Sequence, residues 1–231
     1  MPQVPRPRLP RLPSIPVPTP ARVRMLLRCA RAGTRRTGVR VLMHAASVPV
    51  VRPVAERGFR AMFDTLAGDW EKIREDPTYR AGFEEALRLL PRGFRPRRAL
   101  DVACGTGIAT ALLLERWQGV NVIGTDISPR MVERARELVL EATFEVASVH
   151  HLPYEDGEFD LVTALDGLLD APELMRVLHR KGRLLIVYSK AGTTPISRPL
   201  DALALEFEEL GAVAEPRTDG EAHVLLVRHG R

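Results

Sequence analysis

The stretch "RALDVACGTGIATALLLERW", residues 98–117, decides the fold. Its first half, "RALDVA", is a short apolar run of the length a buried strand needs. Its second half, "GIATALLLERW", carries apolar residues at helical spacing. Gly105 and Gly107 sit where the strand gives way to the helix. Glycine there lets the chain turn tightly and approach a ligand, and the first helical turn offers free N–H groups. A dinucleotide-binding turn reads G-x-G-x-x-G, but counting from Gly105 the third position holds Thr110.

Asp101 sharpens the question of what this turn holds. It lies near the carboxyl end of the strand, four residues before Gly105. A pyrophosphate in that crevice would face a carboxylate, and at about 4 Å each like-charge pair costs roughly 4 kcal/mol at an effective dielectric of about 20. A cationic ligand is attracted instead. S-adenosylmethionine has an ammonium, a sulfonium and no phosphate. The next apolar run, "NVIGTD", ends at Asp126, 19 residues after Gly107. A carboxylate there can accept both ribose hydroxyls of a nucleoside. That spacing alone suits NAD equally, and only the pair Asp101 and Asp126 discriminates.

Beyond this unit, strands and helices alternate. "SPRMVERARELVL" is a helix with Ser128 as its cap and Pro129 at its first position. "TFEVA" and "FDLVTAL" are the third and fourth strands, "APELMRVLH" a short helix and "RLLIVYS" the fifth strand. "LDALALEFEELG" is a helix, and "GAVAEP" and "EAHVLLVR" are two strands joined through "RTDG", a hairpin signal. Such alternation implies a parallel sheet covered on both faces, with the last strand antiparallel.

The 231 residues, 45% of them hydrophobic, suffice for one domain with a full core and an extension. The net charge of +5 misleads, because residues 1–60 hold 13 arginines against a single acid, Glu56, while the rest of the chain is acidic. A nucleic-acid partner argued from whole-chain charge is therefore unsupported. Residues 1–20 contain eight prolines and read as an extended, disordered tail. Residues 21–52 read as a basic amphipathic helical segment, suited to peripheral contact with an anionic membrane through residues 1–60, to packing on the main domain, or to an organelle transit peptide. Residues 53–97 are helical, with a break at Pro77, and residues 98–231 form the core domain. Cys29 and Cys104 make no metal spacing, and no metal is expected. No run reaches the roughly 20 apolar residues of a bilayer span, nor does the start resemble a secretory signal, so a cytoplasmic protein, peripheral at most to a membrane, is expected.

In order and spacing, "LDVACGTG", "VIGTDISPRMVERAR", "FEVASVHHLPYEDGEFDLV" and "LMRVLHRKGRLLIVYS" resemble class I S-adenosylmethionine-dependent methyltransferases, more narrowly the small-molecule type 11 domain, over roughly residues 60–231. The resemblance implies a Rossmann-like, doubly wound α/β fold. Its seven-stranded sheet would have order 3-2-1-4-5-7-6, the last strand antiparallel, with an N-terminal helical extension. It implies that Asp101, Ala103, Gly105 and Gly107 surround the methionine part of the cofactor. Asp126 would hold the ribose, Ile127 would pack on the adenine, and Ser148 and Val149 would lie at the adenine edge. Ala103 stands where the strict motif has glycine. Ser148 stands where many relatives have aspartate, which weakens one acceptor to the adenine amino group. The segment between the fourth and fifth strands is short, leaving the substrate side open or closed by the N-terminal helices.

Methyl transfer needs alignment more than a catalytic side chain, and a base only where the acceptor must lose a proton. No indispensable residue stands out. Asp166, after the fourth strand, is a base candidate or a helix cap before "GLLD". His150 is a base candidate or, with His151, loop surface or adenine packing. Tyr154 reads as structural, and Asp160 as a residue at the start of its strand. Phe59, Met62, Phe63, Trp70, Tyr79 and Phe83 offer acceptor recognition as a lid, or simple packing on the sheet. The expected activity is methylation of O, N or C on a small or lipid-like molecule. A quinone precursor is one version; a non-catalytic binding scaffold and, more weakly, an NAD-linked oxidoreductase are the other readings. Nucleic acid is disfavoured: "TALDGLL" is not an amino-methylating Asn/Asp-Pro-Pro-Tyr/Phe segment, and there is no Pro-Cys nucleophile.

Overall fold

A computed structural model describes Met43, Ala45, Val48, residues 50–70, 77–192, 194, 196–218 and 222–230. The tail of residues 1–20 and nearly all of the basic segment 21–52 lie outside the described residues. The elements are α1 (Arg52–Leu66), α2 (Pro77–Arg88), β1 (Arg98–Val102), α3 (Ile108–Arg116), β2 (Asn121–Asp126), α4 (Pro129–Leu138), β3 (Thr143–Val146), β4 (Phe159–Leu165), α5 (Ala171–Val177), β5 (Leu178–Tyr188), α6 (Ser189–Gly192), α7 (Leu200–Glu209), β6 (Ala212–Arg217) and β7 (His223–His229).

The strands form one seven-stranded sheet in the order β3-β2-β1-β4-β5-β7-β6. β1 to β5 are parallel, and β7 runs antiparallel to both β5 and β6. The sheet therefore has the expected order and direction. Its strand order reverses between β1 and β4, where a crevice opens at the carboxyl ends of the strands. β4 and β5 are central and buried on both faces, which explains their unbroken apolar runs.

Alternation along these strands feeds two cores. Val162, Leu184 and Ile186 face α5 and α7, packing with Leu174 and Phe207. Leu161, Leu185 and Val187 face the other way, onto Phe83 and Leu87 of α2 and Leu112 and Leu113 of α3. A side chain truncated in either core costs about 2–5 kcal/mol.

Local signals set the helix ends. Gly107 caps α3 at φ 85°. Ser128 Oγ accepts from Met131 N at 3.1 Å at the start of α4, with Pro129 in the first turn. α5 is shorter than the sequence suggests: the strand begins already at Leu178, which pairs with Phe159, and pairing overrides helix propensity there. Among the described residues no helix is long and apolar enough to cross a membrane.

Candidate functional site

The two acids picked out from the sequence meet at the crevice. β1 places Asp101 fully buried. Thr110 Oγ1 donates to its Oδ2 at 2.6 Å, and Thr163 Oγ1 to its Oδ1 at 3.1 Å. Thr110, which argued against a dinucleotide turn, is thus a support for the carboxylate. Burial raises Asp101 to about 6 despite those donors. Asp126, at the end of β2, accepts from Gly105 N at 3.0 Å through Oδ2 and from Ser128 N at 2.9 Å through Oδ1. Burial raises it to about 6 as well.

These acids line a narrow cavity of about 60 Å³ together with Ala103, Gly105, Ile127, Ser148 and Val149. Gly107, by contrast, lies outside the cavity wall. Its left-handed turn packs against Phe144 and Val139, so it shapes the chain rather than the wall. Ala103 is left-handed too, at φ 55°, a conformation that costs an alanine about 1–2 kcal/mol.

The N-terminal helix supplies what the motifs do not reveal. Glu56, Arg60 and Asp64 follow one another at four-residue steps on α1, so they share a face. All three reach the loops that follow β2 and β3. Ser148 Oγ donates to Glu56 Oε1, Arg60 Nε donates to the Ile127 carbonyl at 3.1 Å, and Ser128 Oγ donates to Asp64 Oδ1 at 2.6 Å. A carboxylate from α1 therefore stands beside Ser148. Phe63 and Trp70 stack edge to face at 5.7 Å and complete the wall. A Cβ on Gly105 would lie 3.1 Å from Trp70 Nε1.

The other candidates fall into place around this wall. Asp166 is not a helix cap. It is left-handed at φ 48°, and no helix begins until Ala171. Its carboxylate accepts from the Ser189 N–H and hydroxyl and from Thr194 Oγ1, which braces the end of β4 against the end of β5. Burial raises its pKa. His150 Nδ1 lies 2.6 Å from Asp170 Oδ2, a partner that the sequence did not signal. His151 is exposed. Tyr154 OH donates to Glu145 at 2.9 Å and packs edge-on to Phe159, a structural placement. Asp160 accepts from the Arg97 and Arg98 amides and pins the start of β1.

The donor set suits S-adenosylmethionine. Two buried carboxylates answer its cationic groups and ribose hydroxyls, and the glycine turn leaves room that a Cβ would fill. Thr125, also in the wall, has a buried hydroxyl without a partner among the described residues. Among those residues no cluster could hold a metal.

Comparison with known proteins agrees. A family model described as "Methyltransferase domain" matches residues 99–186. The ubiquinone/menaquinone biosynthesis C-methyltransferase UbiE of Citrifermentans bemidjiense is 28% identical over 169 residues, 64% of this chain and 70% of that protein. The demethylmenaquinone methyltransferase of Thermotoga maritima is 35% identical over 99 residues, and there the match spans 40% of this chain and only 43% of the relative. A crystal structure of a SAM-dependent methyltransferase from Aquifex aeolicus shares the fold at a TM-score of 0.60 and 18% identity, covering 70% of this chain and 97% of that one. With its sheet order, its paired acids and these likenesses, the chain carries a methyltransferase domain over residues 99–186 and resembles the class I S-adenosylmethionine-dependent methyltransferases.

Proposed function

We propose that this enzyme methylates a small, lipid-like acceptor such as a quinone precursor, and that Asp101 and Asp126 hold the donor. The convergence of these two buried carboxylates on one cavity carries the reading. Asp101 faces the cationic methionine part, and Asp126 the ribose. Ile127 and Val149 supply apolar contact to the adenine, and Ser148 with Glu56 supplies acceptors at its edge. Ala103 and Gly105 let the backbone approach. Bound S-adenosylmethionine supplies an activated methyl on a good leaving group. The chain's own part is to orient, to exclude water and to receive a proton where the acceptor must lose one.

The names of the two quinone-methylating relatives support the acceptor class. Apolar wall residues Phe63, Trp70 and Leu168 support it as well. In this reading, residues 53–97 act as a lid over the cavity, and the arginine-rich residues 1–60 bring the enzyme to an anionic membrane surface where such acceptors reside. Calorimetry with S-adenosylmethionine tests the assignment. Wild type should bind and Asp126→Ala should bind roughly tenfold or more weakly, and equal binding by both would remove Asp126 from the site.

A further inference from the structure

A second, larger hollow adjoins the donor cavity. It measures about 640 Å³, within the usual range for a small-molecule site. Leu168, Leu169, Pro172 and Leu210 give it apolar walls, and Arg52, Arg198 and Glu206 lie among its polar groups. Among the described residues, only His150 and Leu168 border both this groove and the donor cavity. The groove thus opens onto the cavity at an imidazole.

That imidazole is held in one orientation. Its Nδ1 lies 2.6 Å from Asp170 Oδ2, and Asp170 is fixed in turn because its Oδ1 accepts from Glu173 N at 3.2 Å as the cap of α5. A carboxylate on Nδ1 fixes the proton there and leaves Nε2 with its lone pair, the form that accepts a proton. The His150 hydrogen bond also lowers the Asp170 pKa, so the partner stays ionised. The His150 backbone N–H donates to Ser148 Oγ at 3.2 Å, tying the same loop to the donor cavity. The charged groups around the pair are Glu56, through Ser148, on one side, and Arg52 and Glu173 on the other.

We propose that the groove is the acceptor site, that its occupant is an apolar ring bearing an ionisable hydroxyl, and that His150, oriented by Asp170, takes the hydroxyl proton. This rests on the methyltransferase reading above and adds the acceptor's chemistry to it. The hydroxyl proton passes to His150 Nε2. The freed electron pair makes the oxygen, or a ring carbon conjugated to it, the nucleophile that bonds to the methyl carbon. The carbon–sulfur bond breaks with its electron pair left on sulfur, so the sulfonium charge disappears. Where carbon is methylated, the ring proton leaves to solvent as aromaticity returns, and His150 gives its proton back to the oxygen. Each turnover consumes one methyl and releases one net proton.

The test uses the full chain saturated with S-adenosylhomocysteine, with calorimetry verifying that binding, and adds 4-nitrophenol in mildly acidic buffer, where the free phenol is mostly neutral. The wild type should produce the phenolate absorbance band. Asp170→Asn should reduce it and His150→Gln should abolish it, each variant being saturated with S-adenosylhomocysteine at a concentration set by its own calorimetric titration, which also shows that it is folded. Equal bands in wild type and His150→Gln, or no band in a wild type that binds S-adenosylhomocysteine, would overturn the dyad and leave the donor site standing. A wild type that does not bind S-adenosylhomocysteine refutes the donor reading and this inference together.

Discussion

The Gly105 N–H donates to Asp126 Oδ2 at 3.0 Å, so the turn after β1 and the acid that ends β2 form one unit. The other oxygen of Asp126 accepts from Ser128 N. Both oxygens therefore face amide donors, and an amide side chain must set its own NH₂ against one of them. Asp126→Asn should consequently behave much like Asp126→Ala. Each should lose about 1–3 kcal/mol of stability, and donor affinity should fall by roughly tenfold or more. Urea denaturation and calorimetry on both variants check this, and wild-type donor binding by Asp126→Asn would contradict it.

Asp101 gives the stability of the donor-free enzyme a distinctive pH dependence. Its folded pKa of about 6 lies above the ordinary value of 3.8. Between those two values the folded chain holds more protons than the unfolded one, so stability falls as pH rises through that window. Asp126 has the same sign. Asp170 has the opposite sign, and its contribution is lost as pH falls below the ordinary carboxylate range. Asp101→Asn keeps the Thr110 and Thr163 hydroxyls partnered and removes the buried charge. It should gain about 1–3 kcal/mol near pH 8 and show a flatter profile from pH 5 to 8, yet bind the donor weakly. Denaturant melts across that range measure the effect, and an unchanged slope would count against it.

Gly107 lies outside the cavity wall, so its replacement should act on folding rather than on the donor. A Cβ there meets Phe144 Cζ at 3.1 Å and Val139 Cγ2 at 3.2 Å, at a backbone φ of +85°. Gly107→Ala should cost about 2–4 kcal/mol from left-handed strain and crowding. Urea midpoints read this directly, and a loss under about 0.5 kcal/mol would show that the turn relaxes freely.

Trp70 offers an optical report of the donor. The chain has two tryptophans, and Trp70 lines the cavity while Trp117 is buried against α3 and α2. S-adenosylhomocysteine should change the emission of wild type but not of Trp70→Phe. Glu56→Gln should keep the response and shift its midpoint to higher ligand concentration by roughly three- to tenfold, as one charged acceptor is lost. A midpoint that does not move would leave Glu56 without a part in donor binding.

How much of this was legible in the sequence depends on how local the signal is. Asp101, Gly105 and Asp126 are decided by a strand, a turn and a second strand, each readable within a few residues, whereas the sheet order follows only from the resemblance to a known family. Glu56 and Ser148 stand 92 residues apart, and His150 and Asp170 stand 20 apart. No periodicity links such positions; only the packing of α1 on the β2 and β3 loops, and of α5 beneath the β3 loop, brings them together. Of the two readings of Asp166, base candidate or helix cap, the helix cap fails for a related reason. The donors to Asp166 include Ser189 and Thr194, beyond β5, and Tyr79 of α2, and no pattern near "LDG" announces them.

α1 contributes to both hollows at once. Glu56 stands in the donor wall and Arg52, one turn earlier on the same helix, stands in the groove. A rigid helix cannot shift at one of these positions without shifting at the other, so the two hollows are expected to be coupled. If donor loading settles α1, turnover should be ordered, with the donor binding first and the spent donor leaving last. Initial-rate plots with both substrates varied should intersect rather than run parallel, and the demethylated product should compete with the donor alone.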